Sequence, residues 1–563
     1  MHKLVVSSPF LALLWACPDP GSLPLGPEDR DAGTLVEDAG ADAAYVPLPA
    51  VDSGVVPQVD YQDGVEVELD EGRVRGELAD DLRIFRGIPF AEPPVGALRF
   101  RPPVPISPWS GIRETREFGP ACPQEPLPTM SSLDHMDEDC LNVNVWAHTD
   151  GRIRPVMVWI FGGAFTIGGG DWSVYEGSDL ARNGDVVVMT FNYRLGALGY
   201  LATETLQASD PLGASGTHGI LDQIELLRWV RRNAPAFGGD PYNVTIFGES
   251  AGGISVCALL AAPQARGLFR RSISQSGGGC NTFTYLDREA MLGLPPLRET
   301  SRRIVEEVGC GSAADEVACL QLVPAQDLVA AIPTLSLFTG PLNQRLSFMP
   351  AVDGVVIPEM PIARLVREGA DPDVSAIFGS NADEAALFLA LDTVPFRGSF
   401  RNKLEELIPD EATVDAVMAL YPWPEFLLPK DAFEAFLGDV IFNCGPLAAA
   451  SAVGDRGRVY YFTQAPLTFS LLMGTMHAID TIYTFNTFEA FLVIPSAADR
   501  EVSRIVQHAW STLARTGRPA LTVPWPAYAP GQPSIARIAP EPELLRAYRG
   551  GRCEALRGLG LAP

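Results

Sequence analysis

Val244-Thr245-Ile246-Phe247-Gly248-Glu249-Ser250-Ala251-Gly252-Gly253 runs an apolar strand pattern into a small-residue helix pattern, with one serine set between glycines at the junction. A strand that turns sharply into a helix at a serine holds that serine in a strained backbone conformation and lifts its hydroxyl above the sheet edge. Gly248 and Gly252 fit this reading, because a side chain at either position would meet the neighbouring strand or helix. Taken alone, Gly-x-Ser-x-Gly also describes an ordinary glycine-rich turn. Its surroundings decide between the two.

Upstream, Pro155-Val156-Met157-Val158-Trp159-Ile160-Phe161 reads as a buried strand that empties into Gly162-Gly163-Ala164-Phe165. Attack of a serine on an ester carbonyl creates an oxyanion, and one preorganised N–H donor lowers that barrier by about 2.7–4 kcal/mol. Small residues let the main chain approach closely enough to donate. Gly163 and Ala164, with the N–H of Ala251 just after the serine, are therefore the expected oxyanion hole.

A serine hydroxyl needs a histidine base, and the base needs a carboxylate to orient it. Of six histidines, His2 lies in the leader, His135 in an acidic loop, His148 after a strand and His218 before a helix starting near Ile220. His508 falls in an amphipathic run and reads as a helix-surface or packing residue. His477 lies late in the chain in an apolar loop, which suits the order serine, acid, histidine. The strand pattern Ser375 to Asn381 ends in two carboxylates, Asp383 and Glu384, and spacing alone does not separate them.

With these residues in place, the chain resembles a type-B carboxylesterase of the cholinesterase-like α/β-hydrolase family. The resemblance covers nearly everything after about residue 64. It is carried by Phe85-Arg86-Gly87-Ile88-Pro89-Phe90-Ala91-Glu92-Pro93-Pro94, Glu138-Asp139-Cys140-Leu141-Asn142-Val143, Asn192 to Gly199, Phe237-Gly238-Gly239-Asp240-Pro241 and Thr516-Gly517-Arg518-Pro519. It implies an ester hydrolase working through an acyl-enzyme without a cofactor or metal, with Ser250 as nucleophile, His477 as base and Glu384 as acid. The glycine that follows the family's glutamate is Ala385 here, and the third glycine of its oxyanion loop is Ala164. The same resemblance places Glu249 and Phe165 near the substrate.

Apolar strands alternating with helical runs, such as the one carrying Ile220, Ile224 and Leu227 on one face, point to the same α/β architecture. The expectation is one catalytic domain over residues 61–563: an α/β-hydrolase fold with a mostly parallel central sheet, flanking helices and helical insertions. No internal repeat is visible.

The N-terminus reads differently. Lys3 precedes an apolar run from Leu4 to Ala16, too short to span a bilayer and matching the apolar core of a signal peptide. Leu14-Trp15-Ala16-Cys17 resembles a bacterial lipobox with an unusual Trp15, which leaves lipidation of Cys17 and plain secretion both open. Residues 18–60 are rich in Pro, Gly, Ala and Asp and poor in large apolar residues, the composition of a disordered tether. An exported chain in the cell envelope or outside the cell is the expected setting.

Export makes the cysteines candidates for disulfides. By resemblance Cys122 pairs with Cys140, Cys310 with Cys319 and Cys444 with Cys553; Cys257 and Cys280 are left over, with their pairing open. No cysteine has the spacing with histidine that zinc requires.

A formal net charge of −27 argues against a nucleic-acid partner. It serves solubility or, in a sharper reading, steers cationic substrates towards a negative cleft. Cholinesterases hold quaternary ammonium by cation–π attraction to a tryptophan in the loop closed by the first disulfide. Here that loop holds Pro123, Pro126, Pro128, Met130 and His135 and no aromatic residue. Short-chain or bulky uncharged esters are therefore the expected substrates. A cation-selective esterase and a catalytically inactive binding module on the same scaffold are the alternatives.

Overall fold

Val187–Phe191 is buried at every position, and Val156–Ile160 is likewise buried throughout, as parallel strands covered on both faces must be. These runs form the centre of the computed structural model, which describes residues 65–125, 135–290, 295–331, 348–390, 398–422, 424–546 and 548–563. The leader, Cys17 and the tether to residue 60 lie outside the described residues, as does the middle of the Cys122–Cys140 loop.

The strands are β1 (Val65–Glu68), β2 (Arg73–Ala79), β3 (Leu82–Pro89), β4 (Ile112–Glu114), β5 (Asn142–His148), β6 (Arg154–Ile160), β7 (Val187–Phe191), β8 (Gly239–Glu249), β9 (Arg271–Gln275), β10 (Thr284–Tyr285), β11 (Ala351–Val352), β12 (Ser375–Asn381), β13 (Gly457–Phe462), β14 (Ile535–Ile538) and β15 (Glu543–Leu545). Among the described residues one sheet of 13 strands runs β1-β2-β3-β5-β7-β6-β8-β9-β12-β13-β14-β15, with β4 beside β2, while β10 and β11 pair apart. From β7 to β14 every neighbouring pair is parallel. The β1–β2, β2–β3, β3–β5 and β5–β7 pairs at one edge, and β14–β15 at the other, are antiparallel.

The strand order fixes where a site can form. From β6 the chain steps outward to β7, then crosses back to enter β8 on the other side of β6. The sheet's winding thus reverses between β6 and β8, and their carboxyl ends open a crevice between diverging connections. The two stretches that decided the sequence reading, Gly162–Phe165 and Ser250, follow those two ends.

Helices cover the sheet, including His218–Asn233 before β8, Ala251–Ala261 after it and Ala497–Thr516 before β14. Ile220, Ile224 and Leu227 are buried as their spacing requires. Helical insertions lie between β11 and β12, exemplified by Pro361–Glu368, and between β12 and β13, including Phe400–Leu407, Glu411–Leu420 and Pro429–Gly438. This is the α/β-hydrolase architecture.

Among the described residues there are four disulfides. Cys122–Cys140, Cys310–Cys319 and Cys444–Cys553 match the sequence expectation. The pair left open, Cys257 and Cys280, is also bridged. It ties the helix after Ser250 to the loop after β9.

Candidate active site

Ser250 sits between β8 and the helix Ala251–Ala261 with φ 55° and ψ −122°. For a residue with a Cβ this conformation costs on the order of 1–3 kcal/mol, so the surroundings must impose it. The Ser250 N–H donates to the Gln275 carbonyl at 2.9 Å, and the Ser250 carbonyl accepts from Ile254 N–H at 2.9 Å. A Cβ at Gly248 would lie 2.6 Å from the Ile160 carbonyl oxygen, and one at Gly252 would collide with the same oxygen. The glycines of the quoted stretch therefore let β6 and the helix close around the turn.

The loop after β6 lies against this turn. A Cβ on Gly162 would stand 3.1 Å from Ser250 Cβ and 2.8 Å from the Glu249 carbonyl oxygen. Gly163, Ala164 and Phe165 all have positive φ, at 119°, 51° and 61°. The N–H groups of Thr166 and Ile167 close the turn by donating to the Gly163 carbonyl at 3.0 and 3.1 Å. Ala251 opens its helix, where an N–H has no intrahelical acceptor and lies at the positive end of the helix dipole. The Phe165 ring is fully buried, edge-on to Tyr200.

His477 and Glu384 meet from two loops. Glu384 follows β12, His477 follows β13, and the loops are joined by the Asp383 N–H donating to the Thr475 carbonyl at 3.0 Å. His477 Nδ1 lies 2.6 Å from Glu384 Oε2, with both side chains fully buried. The other Glu384 oxygen accepts from Ser276 Oγ at 2.6 Å and from Asn381 N–H at 2.7 Å. Asp383, the rival carboxylate, instead accepts the Thr475 N–H at 2.7 Å. Geometry thus separates what spacing left open: Glu384 is on the imidazole, and Asp383 is on the backbone that carries it. Ala385 is buried.

The second ring nitrogen, His477 Nε2, is 3.1 Å from Glu249 Oε1, on the residue immediately before Ser250. Phe442 and Phe388 flank the imidazole, with ring centroids at 4.7 and 5.0 Å. Burial pushes the Glu249 carboxyl above the ordinary carboxylate range, and the neighbouring His477 opposes that rise. Burial opposes the charged form of His477, but the Glu249 and Glu384 carboxylates outweigh it and hold its pKa above the ordinary value. Beneath them Asp480 accepts from Tyr460 Oη at 2.8 Å, Gln275 Nε2 at 2.9 Å and Asn381 Nδ2 at 3.3 Å.

Sequence reasoning missed Ser276, Asn381, Asp480, Phe388 and Phe442. No local motif marks them; each reaches the site through tertiary contact. The Cys257–Cys280 bridge did have a signal, because two cysteines left over from three bridges, in a chain expected to be exported, invite a fourth. The remaining histidines are placed elsewhere. His218 Nε2 is 3.0 Å from Asp210 Oδ2 in a separate buried pair, His148 Nε2 contacts the Ala181 carbonyl, and His508 is exposed.

Comparison with known proteins gives the family. The model of the carboxylesterase family matches residues 63–556. A para-nitrobenzyl esterase of Bacillus subtilis (strain 168) is 34% identical over 468 residues, covering 81% of this chain and 91% of the relative. An acetylcholinesterase of Leptinotarsa decemlineata is 29% identical over 527 residues, covering 84% and 82%. A phenmedipham hydrolase of Pseudarthrobacter oxydans is 31% identical over 498 residues, covering 84% and 94%. Among solved structures, a PNB esterase superposes with a TM-score of 0.74 at 32% identity, covering 87% of this chain and 99% of its own. The elbow, the glycine loop and the buried histidine therefore belong to a serine ester hydrolase of the carboxylesterase family.

Proposed function

We propose that Ser250, His477 and Glu384 are the catalytic triad and that the substrates are uncharged short-chain or bulky esters. The observation that carries the triad is the placement of His477, with Nδ1 at 2.6 Å from Glu384 and Nε2 against the residue preceding Ser250. His477 takes the Ser250 proton as the hydroxyl oxygen attacks the ester carbonyl carbon. The tetrahedral oxyanion is held by the N–H groups of Gly163, Ala164 and Ala251. Collapse expels the alcohol, which receives the proton from His477 and leaves an acyl-Ser250; water, deprotonated by His477, then releases the acid. Glu384 keeps one imidazole tautomer and stabilises the imidazolium. Glu249 and the Phe165 turn border the substrate.

Uncharged substrates are supported by the Cys122–Cys140 loop, which has no aromatic residue to stack on a cation. The relatives named para-nitrobenzyl esterase and phenmedipham hydrolase point the same way. The acetylcholinesterase likeness and the −27 charge make a cationic ester the reading to exclude. Comparing kcat/KM for butyrylthiocholine with that for a neutral isosteric thioester tests this. Near-equal values are expected; a choline preference of about a hundredfold, equivalent to about 2.7 kcal/mol, overturns the uncharged class.

The proposed setting is the cell envelope, after export through the leader and attachment at Cys17. Membrane partitioning that is lost in Cys17→Ser supports attachment. A soluble mature chain that starts elsewhere removes it.

A further inference from the structure

On two segments flanking the His477 loop, aliphatic side chains face outward. In the helix Leu467–Leu472, Leu467, Leu471 and Leu472 are 74, 76 and 75% exposed, and after the short helix Phe488–Phe491, Leu492 and Ile494 are 95 and 93% exposed. The two segments meet underneath, where the rings of Phe469 and Phe491 pack edge to face with centroids 6.5 Å apart. Single exposed leucines are ordinary, but five aliphatic side chains on adjoining segments make a patch.

The patch borders the catalytic crevice. Leu472 is five residues before His477, which bounds their Cα separation at about 18 Å. On the other segment, Thr487 Oγ1 donates to the Val174 carbonyl at 2.8 Å, tying it to the short helix Ser173–Tyr175. Tyr175 in turn hydrogen-bonds the backbone of Gly162, at the start of the loop after β6.

We infer that Leu467, Leu471, Leu472, Leu492 and Ile494 dock this enzyme on a lipid bilayer, so that hydrophobic esters dissolved in the lipid reach the crevice without crossing water. Three observations favour a bilayer. First, neither 467–473 nor 491–498 contains a charged residue, in a chain with 69 acidic and 42 basic residues. A neutral lipid surface accepts such a patch. Second, the exposed large side chains of these two segments are all aliphatic, with no exposed aromatic or arginine anchor of the kind that carries protein interfaces; shallow insertion into the headgroup boundary needs none. Third, the chain before β1 opens with an apolar run and Cys17. Attachment at Cys17, as proposed above, would hold the enzyme at such a bilayer.

The test places an environment-sensitive fluorophore on Leu472→Cys in the full-length exported protein, with Ile153→Cys as control. Ile153 is 48% exposed and precedes β6, at the opposite end of the parallel strands from the crevice. Both variants carry the same N-terminus, so attachment through Cys17 affects them alike. Phosphatidylcholine vesicles should shift the probe at 472 to the blue and raise its emission at least about twofold, with no change at 153. Equal responses at the two positions overturn the inference. A probe at 472 already shielded without lipid also overturns it: sedimentation at dimer mass then assigns the patch to a second copy, and monomer mass assigns it to the chain's own N-terminal segment.

A second arm rests on the proposed esterase reading, whereas the fluorescence arm does not. In the doubly substituted Leu471→Asp, Leu492→Asp protein, hydrolysis of a long-chain para-nitrophenyl ester held in vesicles should fall at least about tenfold, while soluble para-nitrophenyl acetate stays within about twofold. Equal losses on both substrates would make the patch structural. Absence of any hydrolysis by the parent would sink the esterase reading and leave the fluorescence result to judge the docking.

Discussion

The two halves of the active site are held by different means. Around Ser250 the structure is backbone against backbone: three glycines, a strained serine and a turn of positive φ, all within one strand-helix junction and the neighbouring strand's loop. Around His477 it is side chain against side chain, with Ser276, Asn381, Asp480 and two phenylalanines arriving from four separate parts of the chain. Backbone sterics leave few residue types possible at each position, so the first half is written in a local motif. A hydrogen-bonded network can be built by many residues from many places, so the second half leaves little local trace.

The comparison breaks most sharply if either half works without the other. Ser250→Ala and His477→Ala should each lower ester turnover by at least about 10⁴-fold, and the double variant should add little, because a triad acts as a unit. Circular dichroism should show both folded. Ser250→Ala activity within tenfold of the parent would remove the nucleophile assignment.

Within the second half the two carboxylates separate. Glu384→Gln should cost about 10³–10⁴-fold in kcat, since the amide favours the wrong imidazole tautomer. Asp383→Asn, whose side chain accepts the Thr475 N–H and does not hold the imidazole, should stay within about tenfold of the parent. Ser276→Ala removes a donor to the buried Glu384 oxygen and should cost about 10–100-fold in kcat, matching the 1.5–3 kcal/mol of a charged hydrogen bond, with KM little changed. The reverse order for the two carboxylates would move the acid role to Asp383.

Besides the Gln275 carbonyl, the first half has a covalent support from outside its motif, the Cys257–Cys280 bridge from the elbow helix to the loop after β9. Its 23-residue separation predicts about 3 kcal/mol of stability on the chain-entropy model. Cys257→Ala, Cys280→Ala should lower the urea midpoint accordingly, and non-reducing peptide mapping should recover this pair with the other three. Any other pairing refutes the connectivity.

Legibility follows the same division. The strand reading at 155–161 lands on β6 within a residue, and the Gly-x-Ser-x-Gly stretch falls on the end of β8, because both patterns are steric and local. Glu384 and His477 could be shortlisted by chain order, but spacing did not separate Asp383 from Glu384; only the family resemblance favoured Glu384, and the structure puts the Thr475 N–H on Asp383. The Glu249 contact lay beyond the sequence too. Adjacency to Ser250 says nothing about where its side chain turns, and only the fold brings the loop after β13 back onto it.

That contact gives the finest test of how the halves communicate, because Glu249 belongs to the elbow by sequence and to the histidine by contact. As base, His477 must be neutral, so kcat/KM should fall as pH drops through its pKa in the free enzyme. Burial alone would put that pKa below the free-histidine value of about 6.5, whereas the Glu249 and Glu384 carboxylates raise it above. The acid limb should therefore lie above the free-histidine value. Glu249→Gln removes the first of the raising charges, which also include Glu384 and Asp480, and keeps the shape, so the limb should move to lower pH while the high-pH plateau falls far less than in Glu384→Gln. An unmoved limb in Glu249→Gln would mean that the imidazole does not feel the elbow's carboxylate, and the two halves would then meet only through the serine itself.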